Sequence, residues 1–181
     1  MDASITTLLS AIHFAADKHR DQRRKDCQQT PYINHPIEVA HLLRTVGGID
    51  DLDLIVAAVL HDTVEDTEAS LEEVAEMFGS RVAGIVAEVS DDKSLPQQRR
   101  KQLQIETAPH KSAEAKQLKL ADKISNISGI DKDCPANWDH ERKVKYVAWG
   151  KQVIAGCRGA NAALEALFDE TVAKASDRLS S

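Results

Sequence analysis

The segment His61-Asp62-Thr63-Val64-Glu65-Asp66 puts one imidazole and three carboxylates directly behind the most apolar run of the chain, Leu54 to Leu60. On a helix, positions 61 and 65 lie one turn apart, as do 62 and 66, so nitrogen and oxygen donors share a face. A carboxylate at the end of a buried helix shifts its pKa, finds a partner or binds a cation, because burying an unpaired charge is expensive. A His-Asp pair alone is a common dipeptide that any helix end could host. A second motif, Lys119-Leu120-Ala121-Asp122-Lys123-Ile124-Ser125-Asn126, adds an aspartate inside an amphipathic helix with Asn126 one turn on. With His35, set before Pro36 and expected at a helix N-cap, the candidate ligands are His35, His61, Asp62 and Asp122. Two imidazoles and two carboxylates suit a borderline-to-hard divalent ion, manganese more naturally than a thiolate-seeking metal. Such an ion acidifies water and polarises a phosphoryl oxygen, while Glu65 or Asp66 orients or deprotonates the attacking water. The chemistry indicated is metal-assisted hydrolysis of a phosphoester.

These groups are distant in sequence, so the elements must bring them together. Apolar residues recur at helical spacing, two-residue alternation over a strand length is scarce, and aromatic residues make up 4% of the chain, so the fold class expected is all-α. The first helix is expected over Ala3 to Lys18, then a polar segment from Arg20 to Tyr32, and a second helix opening at Pro36. A third, apolar in its middle, is expected over Asp51 to Asp66. Ser70 and Glu73 have capping-box spacing and start a helix that Gly79 ends after Phe78. Further helices are expected over Arg81 to Val89, Gln97 to Thr107 and Ala113 to Ile127, with loops at Ser90 to Pro96 and at Ser128 to Asn137. Two more, Trp138 to Gly156 and Ala160 to Ala175, complete a single domain spanning residues 1–181.

Composition narrows the function classes. A net charge of −6 disfavours a nucleic-acid polymer as partner, since counterion release needs a broad basic surface. Three local clusters, Arg23-Arg24-Lys25, Arg99-Arg100-Lys101 and Arg142-Lys143 with Lys145, are dense enough to meet a polyanionic small molecule. No apolar run approaches a membrane-spanning length and the N-terminus lacks signal-peptide features, so a cytoplasmic location without membrane partners is expected. Cys27, Cys134 and Cys157 are odd in number and scattered, which fits free thiols. His13, His19, His41, His110 and His140 read as surface or packing residues, and there is no phosphate loop and no nucleophilic serine or cysteine motif.

Taken jointly, His35-Pro36, His61 through Thr67, Phe78-Gly79, Glu88-Val89-Ser90-Asp91-Asp92-Lys93 and Lys119 through Lys123 resemble the hydrolase domain of the Rel/Spo alarmone enzymes. The stretch around Trp138, Glu141-Arg142 and Tyr146 is similar to the stand-alone metazoan SpoT homologues and their small bacterial relatives. The resemblance implies an HD-domain helical bundle of roughly nine or ten helices, holding one Mn2+ per chain and releasing pyrophosphate from the ribose 3′ position of ppGpp or pppGpp. It implies His35, His61, Asp62 and Asp122 as metal ligands, Glu65 and Asp66 as the water-activating pair, and Arg24, Lys25, Asn126, Arg142 and Tyr146 as substrate-binding residues. Arg24 would pack on the purine and Lys25 face phosphates. Longer members of the family often carry an arginine where this chain has Ser128-Gly129 after Asn126-Ile127, which bears on substrate affinity. The chain carries no synthetase domain, so hydrolysis alone is expected. An alternative within the same chemistry is removal of the 2′-phosphate of NADPH. A binder without turnover would have no use for Glu65-Asp66, and a purely structural domain would leave the aligned carboxylates unexplained. Oligomeric state is not readable from these residues.

Overall fold

A computed structural model describes residues 3–132 and 138–180. These form ten α-helices: α1 (Ala3–Lys18), α2 (Asn34–Thr45), α3 (Leu52–Leu60), α4 (Thr63–Asp66), α5 (Leu71–Phe78), α6 (Ser80–Val89), α7 (Gln97–Thr107), α8 (Ala113–Lys132), α9 (His140–Ala155) and α10 (Ala162–Ser180). A 3-10 turn, Ala108–His110, joins α7 to α8. Among the described residues there is no strand; Arg23 and Pro31 make one isolated antiparallel bridge.

The core is built around α3. Asp51 caps it by accepting a hydrogen bond from the Asp53 amide, and Leu54 and Val56 to Leu60 are buried, so the helix is apolar on nearly every side. Helices α1, α2 and α6 pack against it, and α8 in turn lies against α2, α6, α9 and α10. Leu118, Leu120, Ala121, Ile124 and Ile127 give α8 its buried face. Ser70 caps α5 by accepting from the Glu73 amide at 3.1 Å, and Gly79, at φ +95°, turns the chain directly into α6. Helix α7 buries none of its own residues and is tied to α9 by the Trp149 indole, which donates to the Lys101 carbonyl at 3.0 Å.

Three expectations change. His35 lies within the first turn of α2, not at an N-cap: the helix starts at Asn34, and Pro36 is accommodated because none of the first four amides has an intrahelical acceptor. The helix anticipated from Asp51 to Asp66 is two helices separated at His61-Asp62. At the break, the His61 Nδ1 meets the Ala58 carbonyl at 2.8 Å and the Thr63 hydroxyl donates to the Leu60 carbonyl at 2.7 Å, so side chains take acceptors the helix would otherwise use. Helix α8 runs through Ser128 and Gly129 to Lys132 instead of ending at Ile127. Residues 133–137 of the anticipated loop, with Cys134 and Pro135, lie outside the described residues.

Candidate active site

Three elements deliver the four proposed ligands to one point: the first turn of α2 (His35), the α3–α4 break (His61, Asp62) and the middle of α8 (Asp122). The His61 Nε2 lies 3.1 Å from Asp62 Oδ2 and 3.9 Å from Asp122 Oδ1, and the His35 Nε2 lies 3.6 and 3.3 Å from the same two atoms. The donor atoms of His35, His61 and Asp62 all fall within 4.8 Å of one another. His61 Nε2 is buried and lacks a hydrogen-bond partner, although a carboxylate oxygen stands beside it. An orphaned imidazole nitrogen facing two carboxylates fits a divalent cation.

The electrostatics agree with that fit. Burial opposes protonating His61, yet the Asp62 carboxylate outweighs it and pushes the imidazole up to about 9. Burial lowers His35. Against the same burial penalty, His61 holds Asp62 below the usual carboxylate range, and Lys123, donating at 2.8 Å, holds Asp122 well below it. Both carboxylates are therefore anionic acceptors at neutral pH, and Tyr32 donates to Asp62 Oδ2 at 2.6 Å while Asn126 donates to Asp122 Oδ1 at 2.5 Å.

Glu65 and Asp66 leave α4 in different directions. Glu65 accepts from the Asp91 amide at 2.9 Å and lies 3.6 Å from the Arg100 guanidinium; burial raises its pKa above the usual value. Asp66 lines a neighbouring cavity, accepts from the Gln22 side-chain amide at 3.1 Å and pairs with Lys93.

That cavity, of about 560 Å³, is where the anticipated substrate residues gather: Arg24, Lys25, Asn126, Arg142 and Tyr146 all line it. Each basic cluster singled out in the sequence contributes, through Arg23, Arg24 and Lys25 from the α1–α2 loop, Lys101 from α7 and Arg142 from α9. The loop is held by its own hydrogen bonds, Arg24 N to Thr30 O at 2.9 Å and Tyr32 N to Gln22 O at 3.1 Å. Gly129 makes room for Arg24: a Cβ there would sit 3.3 Å from the guanidinium. Although the chain has no arginine at position 128, Arg24 brings a guanidinium alongside this turn of α8, where it reaches Asn126 Oδ1 at 3.4 Å. Asn126 and Tyr32 line the cavity and also bind the cluster's carboxylates, so the cavity and the cluster are contiguous.

Several participants carry no local sequence signal. Tyr32 closes over Asp62 from the polar loop. Trp138, Tyr146 and Trp149 form an aromatic row with centroids 5.2 and 5.3 Å apart, the Arg142 guanidinium lies 4.4 Å from the Trp138 ring, and the Lys123 ammonium lies 4.7 Å from Trp149. Lys101 sits 5.0 Å over Trp149, its pKa lowered by burial and by the nearby Arg142 and Lys123 charges. Trp138, Arg142 and Tyr146 belong to one motif and Lys123 to another, whereas Tyr32 and Trp149 belong to none. Tyr32 and Lys123 each flank a ligand or motif residue, but which way they point depends on tertiary packing.

Residues 11–148 match the family model described as HD domain. The guanosine-3′,5′-bis(diphosphate) 3′-pyrophosphohydrolase MESH1 of Danio rerio is 50% identical over 163 residues, covering 90% of this chain and 91% of that one. MESH1 of Homo sapiens is 50% identical over 165 residues, 91% and 92% of the two chains. Among solved structures, a metazoan orthologue of SpoT that hydrolyses ppGpp superposes with a TM-score of 0.91 at 47% identity, covering 93% of this chain and 94% of the other. With an all-helical fold, a histidine and aspartate cluster that could hold a divalent metal, and similarity to the MESH1 proteins along almost its whole length, the chain belongs to the HD-domain family.

Proposed function

We propose that this chain is a metal-dependent (p)ppGpp 3′-pyrophosphohydrolase. The observation that carries the reading is the convergence of two imidazole nitrogens and two anionic carboxylates at the edge of a cavity lined by cationic and aromatic side chains. His35, His61, Asp62 and Asp122 would hold one ion. Nitrogen and carboxylate donors without thiolate favour Mn2+, and the two described cysteines stand elsewhere, Cys27 exposed and Cys157 buried in the core. When bound, the ion supplies Lewis-acid polarisation of a phosphoryl oxygen and acidifies water.

The chain's own groups do the rest. Water attacks the phosphorus bonded to the ribose O3′; the P–O3′ bond breaks, O3′ takes a proton, and pyrophosphate leaves GDP or GTP behind. Glu65, raised by burial, and Asp66, on the cavity wall, are the acids placed to accept the attacking water's proton. Arg24, Lys25 and Arg142 meet the phosphates and purine, and Asn126 and Tyr146 meet the nucleoside. Holding a polyanion in a fixed pose lowers the entropic part of the barrier.

Incubation with ppGpp and Mn2+ should yield pyrophosphate and GDP, and chelation should stop it. Unchanged ppGpp with metal-replete protein overturns the reading. The same cavity chemistry admits a nucleotide bearing a ribose phosphate, so NADPH belongs in the panel; inorganic phosphate released from it faster than pyrophosphate from ppGpp would transfer the assignment to a 2′-phosphatase. Tight ppGpp binding without turnover would mark a sensor.

A further inference from the structure

We infer that Glu38, acting through the Ser125 hydroxyl, is a positioning residue that fixes His35 as the tautomer able to ligate a metal; the inference rests on the metal centre proposed above. Glu38 lies on α2 one turn after His35, and Ser125 lies on α8 one turn after Asp122. The Ser125 hydroxyl, on a residue 1% exposed, donates to Glu38 Oε2 at 2.6 Å and lies 2.9 Å from His35 Nδ1.

The hydrogen count at the serine decides the rest. A hydroxyl has one proton, and Ser125 gives it to the Glu38 carboxylate oxygen at 2.6 Å. Toward His35, Ser125 then offers only a lone pair, and Nδ1 must be the donor. A neutral imidazole protonated at Nδ1 has its free lone pair on Nε2, the atom 3.3 Å from Asp122 Oδ1 and 3.6 Å from Asp62 Oδ2. If the hydroxyl turned to donate to Nδ1, the ring proton would move to Nε2 and block coordination.

The His61 Nδ1 is held as a donor without such a device, because it faces the Ala58 backbone carbonyl, which no substitution removes. His35 is the ligand whose tautomer depends on a side chain. Glu38, Ser125 and His35 also line a second cavity, of about 280 Å³, which shares only Arg24, Asp26 and Gly129 with the substrate cavity. Glu38 is exposed on that side, so it can be changed without touching the substrate wall.

The test uses the full chain, stripped with chelator and titrated calorimetrically with Mn2+. Glu38→Gln supplies an amide that can donate to Ser125 and release its hydroxyl proton toward His35; the Mn2+ dissociation constant should rise about 10- to 100-fold, the range set by lost outer-shell partners of metal-bound histidines. Ser125→Ala should lose a similar factor, the double variant should lose no more than either single one, and Ser125→Thr, which keeps a hydroxyl, should restore near-native affinity. Nitrogen-15 spectra of the His35 ring in the metal-free wild type should report Nδ1–H, a readout that a merely structural role would not fix. An Nε2–H tautomer there, or an unchanged dissociation constant in Glu38→Gln with normal wild-type binding, overturns the inference. A wild-type chain that binds no Mn2+ overturns the metal centre and the inference with it.

Discussion

At the scale of single residues, the candidate ligands and the acidic pair separate by what each removal leaves behind. Asp62 and Asp122 are anionic acceptors, held so chiefly by His61 and by Lys123 respectively, so Asp62→Ala or Asp122→Ala should abolish Mn2+ binding and turnover together, measured by metal content after gel filtration and by pyrophosphate release. Full metal retention in Asp62→Ala would exclude it as a ligand. Glu65 touches no proposed ligand; it is oriented by the Asp91 amide and Arg100. Glu65→Gln should therefore keep the metal and lower kcat by roughly 10²- to 10⁴-fold, the usual contribution of a general base. His61 gives a pH signature. Its folded-state pKa is raised from the ordinary imidazole value of 6.5 to about 9, so in chelated protein its contribution to stability is fully present below 6.5 and is lost as pH rises through about 9. The melting temperature of chelated protein should thus fall across that window, and Mn2+, which takes the same nitrogen in place of the proton, should flatten the curve. A chelated protein with no decline between 6.5 and 9 would show that His61 does not hold that proton.

At the scale of elements, the sequence made the helices and most of the site legible because both follow local rules. The apolar run Leu54 to Leu60 had to be a core helix, and His61-Asp62 at its end had to be accounted for by a partner or a cation. What escaped depended on contacts across the fold. The break at His61-Asp62 comes from side chains capturing the Ala58 and Leu60 carbonyls, which spacing does not encode. Gly129 looked like the start of a loop, since glycine weakens a helix by about 1 kcal/mol relative to alanine. The helix continues through it, and the missing Cβ is what lets Arg24 lie alongside. Lys123 belongs to the second motif, yet helical spacing sets it about 100° around from Asp122, and only packing brings its ammonium to Asp122 beside Trp149. Two glycines then make opposite forecasts. Gly129→Ala should stabilise α8 by about 0.5–1 kcal/mol, visible as a rise in melting temperature, while crowding the Arg24 guanidinium and raising KM for ppGpp more than it changes kcat. Gly156→Ala would place a Cβ 2.8 Å from both Ala108 Cβ and Pro109 Cδ, and should cost about 1–3 kcal/mol of stability with Mn2+ affinity unaltered.

At the scale of the whole molecule, the charge distribution opposes the net charge. The chain carries −6 overall, yet Arg23, Arg24, Lys25, Lys101 and Arg142, delivered by three separate elements, surround one cavity. A polyanion approaching from a distance is repelled by the average field and attracted by the local one, so capture depends on focusing by the cavity wall. Salt tests this, because the Debye length shrinks from about 30 Å at 0.01 M to about 10 Å at 0.1 M ionic strength, screening long-range terms while sparing contacts inside the cavity. KM for ppGpp should rise over that range with kcat nearly constant, the pattern of a lost capture term and an intact chemical step. Arg23, which lines the cavity, donates to the Arg20 and Gln22 carbonyls and is no part of the metal cluster, so Arg23→Gln should flatten the salt slope without altering Mn2+ affinity. Lys145 lies outside the cavity lining and is paired with Glu141, so Lys145→Gln should leave the slope unchanged. Equal slopes in the wild type and both variants would mean that substrate capture relies on direct contacts alone, with the gathered cations acting only after docking.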